Sequence, residues 1–194
     1  MEAIKDKKIE KQEINNDTNS KSKINIIYNL ICIFFIASII GWIYEMIFYK
    51  ITEDTLENRG FLYGPYVPVY GFGAILIVLV LKRFKRNPVI LFVGTMFITG
   101  ILEYIVGEFM LSVWHKRWWD YTGLFLNING HVCLRSVLSF SVGGLALIYL
   151  IEPWVLKMND KIKTKTKSIL YITIIAVMLL DLIFCLIIRH PVKI

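Results

Sequence analysis

The stretch INIIYNLICIFFIASIIGWIYEMIFY (24–49) decides the class of this protein. Its 26 residues hold one ionisable carboxylate, Glu45, and no basic residue. A helix needs ~20 mainly apolar residues to cross a hydrocarbon core ~30 Å thick, and this stretch supplies them. Four further apolar blocks follow, at about 66–81, 89–113, 132–151 and 169–188. The whole chain is 56% hydrophobic with a mean hydropathy of +0.59, above the ~45–50% apolar content of a soluble domain. The expected fold is therefore all-α: a polytopic integral membrane bundle over 24–190 with about five transmembrane helices. The second block is short, and Pro65, Pro68, Gly71 and Gly73 crowd its start. That composition also suits a broken or re-entrant helix, which survives at depth only where protein or a wet cavity surrounds it.

The 23 residues before the first block are rich in lysine, acid and asparagine and cannot build a core. They are expected to form a disordered cytoplasmic tail. No cleavage site of small residues follows the apolar run, so they do not read as a signal peptide. Net charge is +7. Because the basic residues lie between apolar blocks, they point to topology and anionic lipid rather than to nucleic acid. With the N-terminus inside and five crossings, 15 of the 22 basic residues fall inside: six tail lysines, Lys82, Arg83, Lys85, Arg86, Lys157, Lys161, Lys163, Lys165 and Lys167. This is the positive-inside asymmetry of a multi-pass cell-membrane protein.

The three cysteines form no CxxC and read as small buried apolar groups. No P-loop, GxGxxG, HExxH or GxSxG string occurs. His115 and His131, 16 residues apart, do not specify a metal site and are expected as solvated loop or interface histidines. No cofactor is implied.

The polar candidates gather toward the outer side. Ionisable groups inside membrane helices are expensive and mark functional or interhelical contacts, which singles out Glu45, Glu103, Arg135 and Asp181. Ser38, Gly41 and Glu45 share one helix face at i, i+3 and i+7, as do Gly100, Glu103 and Gly107. The outer loops, 57–73 and 115–135, add Arg59, Asp120, Asn127 and Asn129. These residues, with Glu45, Glu103 and Arg135, form the candidate substrate-binding or structural polar pocket. From depth along the helices, Arg135 is expected to pair with Glu103 or Glu45, and the 57–73 loop to pack against the bundle.

The strings GWIYE (41–45), NRGFLYGPYVPVYGFGA (58–74), LEY (102–104), RWWDYTG (117–123) and NINGHVCL (127–134) come in an order that resembles the bacterial membrane family of CmpB-like, type IV ABC-transporter proteins. The resemblance covers about 41–154. It implies a permease-like membrane component without its own ATPase, which would need a separate ATPase subunit or copies of itself. Where the family pattern often carries arginine after NxNG, His131 stands here. Two other functions compete on the residues alone. One is a membrane-embedded enzyme using Glu103, Asp120 and His131 as acid and base. The other is a non-catalytic regulatory or envelope protein with an outer-face site.

Overall fold

A computed structural model of the protein describes residues 2–54 and 60–188, the side chains of 2–21 and of Glu53 excepted. Helix α1 runs Glu2–Glu53, α2 Pro68–Leu81 and α3 Pro88–Trp114. Helix α4 covers Leu134–Asp160 and α5 Thr164–Ile188. Within α4 the turn Leu147–Ile151 is a π segment. Pro153, two residues on, explains it: proline offers no N–H and its ring collides with the carbonyl four residues back, so the ladder widens there. The polar stretch expected to be a tail lies, from Glu2 on, in the N-terminal part of α1.

Four helices rather than five are long and apolar enough to cross a membrane among the described residues: Ser22–Thr52 of α1, then α3, α4 and α5. Helix α2 is the exception. Its 14 residues reach ~21 Å, short of a ~30 Å core. It nevertheless carries the chain back along α1. Its preceding residue, Val67, donates its N–H to the Ser38 carbonyl (3.0 Å), and Ser38 lies 14 residues, or ~21 Å, before Thr52. At its far end Lys82 pairs with Glu152 of α4, and Tyr149 donates to the Lys85 carbonyl (2.7 Å).

The first turns of the apolar part of α1 and the start of α5 meet that same end of the bundle. Asn159 donates to Asn29 (2.7 Å), Lys167 to Asn25 (3.2 Å), and the Tyr28 and Ser168 hydroxyls bond at 2.6 Å. This is the lysine-rich end. The opposite, aromatic end holds the 60–67 and 115–133 connections.

Packing is most extensive between α1 and α2 and between α3 and α4, and α2 against α3 joins the two pairs. Small residues set the approach. Gly71 lies against Ser38 and Phe34, Gly41 against Tyr70, and Gly144 against Thr95. Without side chains at these points the backbones come close, which is how membrane helices gain van der Waals contact. The outer row of α3 stays apolar and open, as at Phe97 and Ile101, and faces lipid. Cys32, Cys133 and Cys185 are buried and free, in keeping with their reading as small core groups.

Candidate functional site

Two non-helical segments enter the bundle from the aromatic end. Each delivers the first turn of a helix to a carboxylate. The described part of the first is 60–67, and it packs into the protein as expected: Leu62 and Tyr66 are buried. Proline fixes φ at Pro65 and Pro68 and removes two N–H donors, so the chain stays bent and non-helical up to Val67 and turns helical only at α2. Asp181 of α5 fastens this segment. Its carboxylate accepts the N–H groups of Tyr63 (3.1 Å) and Gly64 (2.9 Å) and the Tyr66 hydroxyl (2.6 Å). Burial, then the Asp181 carboxylate, raises the Tyr66 phenol far above its ordinary range. Two residues into α2, Tyr70 lies opposite Gly41 and donates to Glu45 (3.0 Å), one turn higher on α1.

The second segment is 115–133. Trp114 ends α3 and His115 turns the chain with a left-handed φ of 54°. The loop then folds back beside α3. Tyr121 donates to Glu103 (2.9 Å), and Ser136, in the first turn of α4, donates to the other oxygen of the same carboxylate (2.8 Å). Burial, with the Glu103 charge behind it, raises the Tyr121 phenol far above its ordinary range, so the phenol keeps its proton and acts as donor. The Ser136 hydroxyl also accepts the Cys133 N–H (3.2 Å) in a capping box with the Cys133 sulfur. Glu45 lies near Glu103, and Tyr70 near Tyr121. Four helices and the 115–133 connection thus bring two carboxylates, two phenols and a serine into one cluster.

The seven residues expected in the pocket divide. Glu45 and Glu103 accept the hydroxyl hydrogen bonds just described. Asp120 and Asn127 serve the loop itself, and Asn129 ties it to α3. Asp120 accepts the Thr122 hydroxyl (2.5 Å) and N–H (2.9 Å), which hold its carboxyl below the usual range. Asn127 accepts the Gly130 N–H (3.3 Å), and Asn129, at φ 52°, donates to the Tyr104 hydroxyl (3.1 Å). Gly130 is required where it stands: its φ is +73°, and a Cβ would meet Asp120 Oδ1 at 2.6 Å. Arg59 lies outside the described residues.

Arg135 corrects the expectation. The Glu103 oxygens are taken by Tyr121 and Ser136, while the Arg135 guanidinium lies over the Phe48 ring at 4.9 Å. An exposed arginine on a lipid-facing turn gains more by carrying its charge up to an aromatic near the interface than by displacing two hydroxyls. The double change Arg135→Gln with Glu103→Gln is accordingly expected to be additive, with coupling under about 0.5 kcal/mol in thermal unfolding in detergent; coupling of 2 kcal/mol or more, about what a buried ion pair shows, would contradict this placement.

His131 is a second correction. It is 2% exposed rather than solvated. Its ring fits against Gly107 and the edge of Tyr104, with Nε2 3.0 Å from Glu108, and Trp119 donates to its carbonyl (2.8 Å). No group of three or more metal-ligating side chains occurs among the described residues.

Residues 32–186 match the model of the family described as "Putative ABC-transporter type IV". The chain belongs to this family. No curated protein and no solved structure matches it. The match runs beyond the 41–154 region that carries the resemblance. Within this type IV family region fall Asp181 and most of α5, so the clasp on the 60–67 segment belongs to it as much as the Glu45–Glu103 cluster does.

Proposed function

We propose that the protein is the permease-like membrane component of an ABC-type transporter in the cell membrane, with ATP hydrolysis supplied by a separate subunit. One observation carries the reading: two in-membrane carboxylates on different helices, Glu45 and Glu103, are held in one cluster by hydroxyls from non-helical segments and helix starts. Transporter sites are commonly built this way, from interrupted helices within the membrane. The cluster is the solute-facing site in this reading. The lysine-rich end, with Lys82, Arg83, Lys157 and Lys163 exposed, faces the cytoplasm by the positive-inside rule and receives the ATPase.

Affinity purification from native membranes tests the partner, and uptake measured in a deletion strain tests the activity. Co-purification of an ATPase, and an uptake defect restored by the wild-type gene but not by Glu103→Gln, are expected. An uptake profile unchanged by deletion, with no ATPase retained, would refute the proposal.

A further inference from the structure

The 115–133 connection does not stand above the membrane end of α3. It descends along it. Val132 and Val137 lie against Gly100, 14 residues and ~21 Å below Trp114. The Leu134 N–H donates to the Phe125 carbonyl (3.3 Å), so the loop's tip is level with the start of α4. Helix α3, 27 residues and ~40 Å long, overhangs a ~30 Å core by ~5 Å at each end. The tip therefore lies below the hydrocarbon boundary.

The chemistry of the tip fits that depth. From Tyr121 to Gly130 there is no charged residue. Phe125, Leu126 and Ile128 are 74%, 63% and 58% exposed, although burying such a side chain is worth ~1.5–3 kcal/mol. Leu126 is held at a left-handed φ of 52°. Much of the loop's polar backbone is turned inward on itself: Leu124 to Tyr121 (3.0 Å), Asn127 to Leu124 (3.2 Å), Ile128 to Val132 (2.8 Å) and His131 to Ile128 (3.0 Å). Internal pairing of this kind is what hydrocarbon demands of a backbone. Exposed apolar side chains also continue down α4 at Leu138 and Val142, four and eight residues beyond Leu134.

We infer that Phe125, Leu126 and Ile128 form a re-entrant lipid anchor seated among the acyl chains of the leaflet at the aromatic end. The anchor fixes the loop that brings Tyr121 onto Glu103. The inference is independent of any transport activity.

Nitroxide labelling of the full chain in phosphatidylethanolamine–phosphatidylglycerol vesicles tests it. The native cysteines are buried, so the label goes to an introduced one: Leu126→Cys, with Ile128→Cys as the second site should the first variant not fold. Val142→Cys serves as the lipid reference and Asp160→Cys as the aqueous one. The expected result is an oxygen-to-nickel-chelate collision ratio close to that at residue 142 and several-fold above that at residue 160. A ratio like that of residue 160 would overturn the inference by placing the tip in water. A label screened from both reagents, or a folded protein that takes no label at either site, would overturn it by showing that another protein surface covers the tip.

Discussion

Asp181→Ala is expected to destabilise the protein more than Glu103→Ala or any change at Arg135. The carboxylate accepts two backbone N–H groups and a phenol from the 60–67 segment. Alanine takes the acceptor from the part-buried Gly64 N–H and Tyr66 hydroxyl, at a cost of about 1–3 kcal/mol each, and from the exposed Tyr63 N–H at less. Asp181→Asn keeps one acceptor oxygen and is expected to lose less. Tyr66→Phe removes a single donor and should cost least, about 1 kcal/mol. Thermal unfolding in detergent, followed by retention on size exclusion, measures the series. Equal stability of the alanine and asparagine variants would contradict the clasp. Because Tyr70 begins the helix that this segment leads into, loosening the clasp should also raise proteolysis between residues 60 and 67.

Glu103→Ala comes second. It leaves the Tyr121 hydroxyl without its acceptor, at about 1–3 kcal/mol, whereas the Ser136 hydroxyl keeps the Cys133 carbonyl at 2.9 Å. The pairing is testable as a cycle. Tyr121→Phe should destabilise the wild-type protein, yet change little in a Glu103→Leu background, where the acceptor is already gone. A coupling energy between about 0.5 and 3 kcal/mol is expected. Simple additivity would mean that Tyr121 does not bond Glu103. Glu103→Gln should be milder, because its amide presents one acceptor oxygen and an N–H that either hydroxyl can accept.

The two carboxylates most strongly held, Glu103 and Asp181, are both legible as costly charges in apolar blocks. Their partners are not. Periodicity tells which residues share a helix face, and the Ser38–Gly41–Glu45 and Gly100–Glu103–Gly107 faces do meet the helices or loop that follow them. It does not tell where a loop goes. Depth counted along α4 from its first apolar residue assumes that the helix begins at the surface. It begins beside Glu103 instead, and that shift replaces Arg135 by Ser136 as the partner. The same descent buries His131, which the residues alone place in a solvated loop or at an interface.

The membrane class, the number of apolar blocks, the burial of the cysteines and the family are all legible in the residues alone, because hydrophobic runs and their flanking charges are local properties of one chain. The irregularity of the second block is legible too, since proline and glycine restrict or free the backbone wherever they stand. Two outcomes needed the folded bundle: two non-helical segments enter between the helices, and hydroxyls rather than an arginine satisfy Glu103. Each depends on which distant residues share a depth, and that is set by packing between helices rather than by any single segment.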